Sequence, residues 1–338
     1  MATVTYGEIS PRVGVMAVLR LLEVAQPRMV MQRFGQITSL PKKRGDTVKW
    51  TRYERFHAAM AKLSEGVPPT AQPMRKRDYV ATLAQYGAIT KITDKVEDLH
   101  EDNVLDVAVQ LCGDQLAETE ERLTIEMVKG SANRYYASGV AGRDSVAAAI
   151  TRGDFRWVER GFARGNVKRL NRLISPSPDA NTYGIDASYF AICHTDLAAD
   201  IRTCSGFIPV AQYGDPAQAV EGEIGAVEAF RVITSNLVEP YLKEGADTTT
   251  MLSDGDIPGG TVKADVYPVI CIGQDAYGVV RLQGVKAAHV TVLQPNVPRF
   301  GDELGQQGSV GWKMWWAGAI LFEDACAVLE VACKANPT

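Results

Sequence analysis

The residues with the most reactive side chains are few and scattered. His194, Thr195 and Asp196 stand together, a grouping that elsewhere binds metal or shuttles protons. Zinc needs further His or Cys ligands at short, regular spacing, and none of the 4 histidines stands at such a distance from another His or Cys. The triplet therefore reads as structural. Asp254-Gly255-Asp256 offers oxygen ligands but lacks the remaining positions of a calcium loop, so a surface turn is expected. Asp106, Asp114, Glu118, Glu120, Glu121 and Glu126 supply carboxylates suited to acid–base work. No nucleophile or phosphate-cradling loop accompanies them, and a solvated helix face is the expectation. Glycine-rich dinucleotide and Walker loops and the serine nucleophile elbow are all missing. Trp312, Trp315 and Trp316 are expected in a core rather than on a ligand platform. No catalytic residue, metal site or cofactor is assigned.

Composition narrows the class further. The net charge of −4 argues against wrapping nucleic acid by bulk electrostatics, although local basic strips remain open. No apolar run reaches the roughly 18 residues of a membrane span. Residues 1–10 lack the basic-then-apolar layout of a secretory signal. Cys112, Cys193, Cys204, Cys271, Cys326 and Cys333 are spread without a close pair, which predicts buried free thiols and synthesis in a reducing compartment.

The elements that must carry these residues are organised around one long helix. Residues 91–130 form the longest helical signal, with Leu105, Ala108, Cys112, Leu116, Leu123 and Met127 repeating at three- and four-residue steps. Asp94 and Glu97 suggest a capping box for a short first helix, Asp102 and Asn103 offer a second cap, and Lys129-Gly130 an end. From Asp102 to Lys129 the rod would measure roughly 42 Å. Glu118 and Arg122 form an i,i+4 pair in the favourable order.

Before this helix the chain looks extended. An amphipathic segment at 12–31 is ended or kinked by Pro27. Alternation at 47–53, and again at 78–92, predicts two strand arms of about 14 residues reaching roughly 45 Å. Between them, residues 58–73 (AAMAKLSEGVPPTAQP) show no core pattern. Such a ribbon is marginal alone in water, so its partner surface is expected on another copy of the chain. Lys42-Lys43-Arg44 and Arg75-Lys76-Arg77 flank the ribbon strands and suit either an acidic neighbour or a soluble edge.

After the helix, residues 151–173 have helical spacing with Arg152, Arg156, Arg160, Arg164, Lys168 and Arg172. Gly161 and Gly165 are expected to interrupt it, leaving either a short DNA-contacting strip or a solvated or subunit-contact face. Residues 187–202 predict a buried strand and then a helix capped near Thr195 or Asp196. Residues 222–236 predict strands joined at a glycine turn, and 266–272 with 277–282 a strand pair turned by 273–276. Residues 308–332 predict a closing sheet, broken near Glu323-Asp324, against the long helix.

The order of arm, two-stranded loop, spine helix, mixed domain and returning sheet resembles the tailed-phage major capsid protein of the HK-ninety-seven-like, or Johnson, fold. More narrowly it is similar to a podovirus-type family with GDTVKW at 45–50, SEGVPP at 64–69, QYGAITKITDKVEDLHED at 85–102 and GQQGSVGWK at 305–313. The resemblance implies an α+β chain with an N-terminal arm at 1–44 and an extended loop at 45–93. A peripheral domain with the spine helix would occupy 94–150, an axial domain 151–289, and a returning peripheral sheet 290–338. It implies a major capsid protein, not an enzyme, that self-assembles into hexamers and pentamers of an icosahedral shell around double-stranded DNA. A precursor shell would form in the host cytoplasm and expand as DNA is packaged, leaving the protein in the capsid of the virion.

Scaffolding, portal and decoration proteins and packaged DNA are the further partners implied. Expected inter-subunit contacts are Lys62, Leu63, Glu65, Val67 and Pro68 at the loop tip and Arg12, Leu19 and Arg20 on the arm. Arg152, Arg156 and Arg160 are the candidates to face DNA or an interface. Some relatives crosslink a loop lysine to a neighbour, but no partner is nominated for Lys62. Two alternatives stand beside this one: a cellular nanocompartment shell of the same fold, and a soluble enzyme with an inserted arm.

Overall fold

The structure is a computed structural model that describes residues 3–4, 29–41, 45–60, 62, 65–66, 68, 71–99, 104–171, 184–215, 219–253, 262–282 and 288–335. Outside them lie Arg12, Leu19, Arg20, Leu63, Val67, Asp102, Asn103 and Arg172, the basic run 42–44 and the acidic loop 254–256.

In chain order the first half holds β1 (Thr3–Val4), β2 (Gln36–Leu40), β3 (Thr47–Tyr53), β4 (Lys76–Thr82), β5 (Ala84–Thr93), α1 (Asp94–Leu99) and α2 (Val104–Lys129). There follow β6 (Arg134–Tyr136), α3 (Arg152–Arg164), β7 (Tyr189–Cys193), α4 (Ala198–Thr203), β8 (Ile208–Pro209), β9 (Glu223–Val227) and β10 (Phe230–Thr234). The chain ends with β11 (Asp247–Thr248), β12 (Val262–Lys263), β13 (Val266–Ile272), β14 (Tyr277–Leu282), β15 (Ala288–Leu293), β16 (Gln307–Ile320) and β17 (Cys326–Ala332).

Two sheets organise these elements. The first runs β1-β5-β16-β14-β2, with β15 also on β16. Its central strand is β16, which pairs with β5 from Gln307 to Trp316. Along the other edge β16 takes β15 at Ser309–Met314 and then β14 at Ala317–Ile320. The second sheet runs β6-β17-β13-β7-β10-β9-β8. Strands β7, β13 and β17 are buried at every residue, which explains their unbroken apolar runs: an alternating pattern needs one wet face, and these have none.

Helix α2 has 26 residues and lies along β16. Cys112 Sγ contacts the Val310 carbonyl at 4.0 Å, Trp312 Nε1 donates to Gln115 Oε1 at 2.9 Å, and Met127 closes over Gly318. The run from Cys112 to Met127 covers about 22 Å of helix and the run from Val310 to Gly318 about 26 Å of strand, so the two keep pace. The expected apolar stripe supplies Leu105, Cys112 and Leu116 to the core and half-buries Ala108, Leu123 and Met127. Towards the C-terminus Ile125 and Val128 are buried as well. The Glu118–Arg122 pair forms at 2.8 Å, and Gly130 N–H closes the helix on Glu126 and Met127.

Several expectations need correction. Each ribbon arm is 7 residues, not fourteen, because the return strand divides at Leu83: β4 stays with β3, whereas β5 joins β16. Leu83 is buried at the division and its N–H donates to the Asp46 carbonyl at 2.8 Å. Strands β13 and β14 are not a hairpin. The turn at 273–276 carries the chain from the second sheet to the first, and Gly273 N–H donates to Ala325 O at 2.7 Å while Leu321 N–H donates to Ala276 O at 2.9 Å. The closing segment likewise divides, β16 entering the first sheet and β17 the second across a short 3-10 turn at Glu323–Ala325. The turn between β9 and β10 is made by Glu228, with φ of 51°, rather than by glycine.

Gly161 does not interrupt α3. A β-carbon there would lie 2.1 Å from the Tyr135 hydroxyl oxygen, so the glycine admits Tyr135 against the helix, and the break falls at Gly165. Thr151 and Asp154 start α3 as a capping box, Thr151 N–H donating to the Asp154 carboxylate at 2.9 Å and its hydroxyl at 2.6 Å.

Candidate inter-subunit interface

The ribbon has a fixed root and a bare outer part. At the root, Val48, Ala81 and Leu83 bury against Val280 and Ala317 of the first sheet. Trp50 packs beside them and its Nε1 donates to Thr38 Oγ1 at 3.1 Å. The Arg52 guanidinium lies 3.6 Å from the centroid of the Phe322 ring. Across the strands Lys49 meets Asp78 at 2.6 Å and Arg77 meets Glu54 at 2.8 Å. The hydrogen bonds of Lys49 and then Thr51 hold the Asp78 carboxyl below the usual range.

Beyond the root the chemistry changes. Every described residue from 51 to 78 is exposed, including Phe56, Met60 (91%) and Met74 (67%). The predicted contact residues Lys62, Glu65 and Pro68 sit here, exposed. Phe56, Met60 and Met74 thus stand in water on the outer ribbon.

The arm enters the core just after its predicted contact residues. Val30 and Met31 are buried, and Glu121 Oε1 accepts from both of their N–H groups at 2.6 Å. The Tyr277 hydroxyl donates to the Met31 carbonyl from the other side. Glu121 was expected on a solvated face; it is instead fully buried. Burial raises its carboxyl pKa, the backbone N–H groups of Met31, Val30 and Gln32 oppose that, and Glu120 adds to it. The overlooked signal is spacing: Glu121 shares one helix line with Ile125 and Val128, so an acid stands where the stripe calls for an apolar residue.

The basic helix is partly engaged within the chain. Arg152 and Arg156 both bind Glu228 of the β9–β10 turn, Arg156 at 2.9 Å. Burial pushes Glu228 up, but the hydrogen bond and charge of Arg152 and then Arg156 outweigh it and lower its pKa. Arg160, Arg164 and Lys168 are exposed.

Two buried charge networks lie in the second sheet. Glu330, fully buried in β17, receives Arg134 at 2.8 Å and a bidentate Arg143 at 2.7 Å. Arg231, fully buried in β10, forks onto Glu223 at 2.6 and 2.5 Å, and the Tyr213 hydroxyl also donates to Glu223 at 2.6 Å. These contacts fix strands rather than aim at a cleft. Among the described residues no group of three or more His, Cys, Asp or Glu could hold a metal. His194 Nδ1 and the Tyr267 hydroxyl each meet Asp196 at 3.0 Å, a local lock on the turn after β7. Trp312 and Trp316 are core residues, and all six cysteines are free.

No curated protein sequence matches the chain. Among solved structures, the capsid of Ralstonia phage GP4 covers 100% of both chains with a TM-score of 0.69 at 12% identity. The capsid of Cyanophage P-SCSP1u covers 95% of this chain and 94% of its own with a TM-score of 0.64 at 12% identity. The head of Helicobacter pylori bacteriophage KHP40 covers 98% of each with a TM-score of 0.63 at 10% identity. At such identities these likenesses establish the fold, the HK-ninety-seven-like α+β architecture. The phage capsid protein family profile matches residues 77–331, most of the chain, and the chain belongs to the phage capsid protein family.

Proposed function

We propose that this capsid protein is the major, shell-forming subunit of a tailed-phage head. The observation that carries the reading is the exposed outer ribbon, because two strands reaching beyond their root are marginal in water and gain from a surface of another molecule beneath them. Head-to-tail contacts of this type are heterologous and close rings of five or six. The first sheet with α2 serves as the peripheral domain and the second sheet as the axial domain near the capsomer centre. By sheet membership β14 goes with the former and β17 with the latter. Residues 62–68 overlie a neighbour, and the arm containing Arg12, Leu19 and Arg20 grips others, taking off from the Glu121 anchor.

Assembly proceeds in the host cytoplasm around a scaffolding protein with a portal at one vertex, and the precursor expands as DNA enters. Of the basic helix, Arg160 is the candidate for DNA or a subunit contact, since Arg152 and Arg156 are paired with Glu228. Deletion of residues 61–70 tests the ribbon: the subunit should fold with unchanged circular dichroism yet fail to close shells. Normal particles from that deletion would remove the clamp role.

A further inference from the structure

We infer that the loop between β15 and β16 is a knob that docks, through Phe300, Glu303 and Leu304, into the groove at the ribbon root of a second copy of this chain. The inference rests on the shell reading above and adds a specific pair of surfaces to it.

The knob is rigid and points outward. Arg299 and Asp302 exchange backbone hydrogen bonds at 2.9 Å, and the Asp302 carboxylate accepts from Gln306 N–H at 2.9 Å and Gln307 N–H at 2.8 Å. Asn296 N–H donates to the Gly305 carbonyl at 2.7 Å, and the Asn296 amide ties the loop to Asp98 at 3.0 Å. This frame holds Phe300 at 108% and Leu304 at 78% of full exposure, with Glu303 exposed between them. A loop without a partner for its apolar groups has no cause to be built so tightly around them.

The groove lies where β3 and β4 leave the body, facing the end of α3. It encloses about 730 Å³. Trp50, Tyr79 and Phe322 give it aromatic walls, and Arg52, Arg55 and Lys168 line its rim against a single acid, Asp275. Among the described residues neither Arg55 nor Lys168 has an ion-pair partner. An aromatic cleft with a net positive rim suits an apolar knob carrying a carboxylate.

The two surfaces cannot meet within one chain. The knob precedes Gln307, the first residue of β16, and the groove includes Leu321 and Phe322 just past its last residue, Ile320. A 14-residue strand separates them. At about 3.3 Å per residue that is roughly 45 Å. A knob at one end of a tile and a matching groove at the other make a heterologous contact, which propagates from copy to copy.

The test is proximity within assembled particles. Leu304→Cys and Arg55→Cys are placed in one chain, shells are assembled with scaffolding protein, and a short bismaleimide is added. The pairing predicts crosslinked dimers and longer ladders on a denaturing gel, with neither variant carrying one of the two added cysteines nor the wild type giving them. Closed shells without that product overturn the knob–groove contact and leave the shell reading standing. Failure of the wild-type chain to form shells at all overturns both.

Charge reversal supplies an independent arm. Glu303→Arg and Arg55→Glu should each cut the yield of closed particles, and the double variant should restore it. A double variant no better than either single change counts against the pairing. Phe300→Ala should raise the concentration needed for half-assembly by about tenfold to a hundredfold, the effect of losing one buried aromatic ring per contact.

Discussion

Trp50→Ala probes the link between the ribbon and the body of the subunit. A fully buried tryptophan truncated to alanine costs about 3–5 kcal/mol. Trp50 is half-buried, at the edge of the Val48–Ala81–Val280 cluster, so about half of that, roughly 2 kcal/mol, applies. The bond from its Nε1 to Thr38 contributes about 1 kcal/mol more. The loss falls on docking of the ribbon, because seven residue pairs of β3 and β4 have little stability of their own. About 3 kcal/mol corresponds to roughly a hundredfold increase in the undocked population. Amide exchange by mass spectrometry reads this directly. Exchange over Thr47–Tyr53 and Lys76–Thr82 should quicken by about two orders of magnitude. The second sheet, at β7, β13 and β17, should keep its protection. Unchanged exchange in the ribbon, or equal acceleration in both sheets, would refute root docking as a separable step.

Further predictions concern the supports of the interface. Gly278→Ala places a methyl 3.0 Å from both Trp50 and Leu321, and should loosen the same ribbon segments as Trp50→Ala, read by the same exchange measurement. Glu121 has a folded-state pKa raised by burial, so between the ordinary carboxylate range and that raised value the folded chain binds more protons than the unfolded one. Its contribution to stability therefore grows as pH falls from neutrality towards about 4.5, and Glu121→Gln should flatten that part of the stability–pH curve; parallel curves would dismiss the assignment. Arg143→Met strips the buried Glu330 of a bidentate partner and should cost about 3 kcal/mol in urea unfolding, more than Glu330→Leu, after which Arg143 keeps Glu244 and both arginines can reach water. Burial pushes the Cys193, Cys326 and Cys333 thiols up to about 12, so at pH 8 they should react about a thousandfold more slowly than a free cysteine until the chain unfolds.

Which elements the sequence reveals depends on how local their causes are. Helix α2 and β3 follow from periodicity, because each element's own residues decide which face is buried, whereas β7 follows from an unbroken apolar run. Partner choice does not. The turn at 273–276 has the composition of a hairpin, yet β14 finds β16 and β2 because β13 is already flanked by β7 and β17. The division of the return strand at Leu83 has no glycine or proline to mark it, since the switch from β3 to β16 is set by the neighbours. Gly161 signals a helix break by propensity, and close packing of Tyr135 overrides it. Glu121 reads as a solvated acid because no nucleophile or phosphate loop accompanies the acids of α2; its place on the Ile125–Val128 line points inward, and its partner lies ninety residues away. The outer ribbon is legible in the sequence as a stretch without a core pattern, whereas the separation of knob and groove requires the tertiary arrangement of β16.

In the proposed shell, the exposed surfaces of this chain are completed by other copies of itself. Electron cryomicroscopy of the chain expressed with its scaffolding protein tests it most directly. Icosahedral particles are expected, in which each subunit's residues 54–75 lie over a neighbour. Only monomers or small open oligomers, with the ribbon still in solvent, would contradict it.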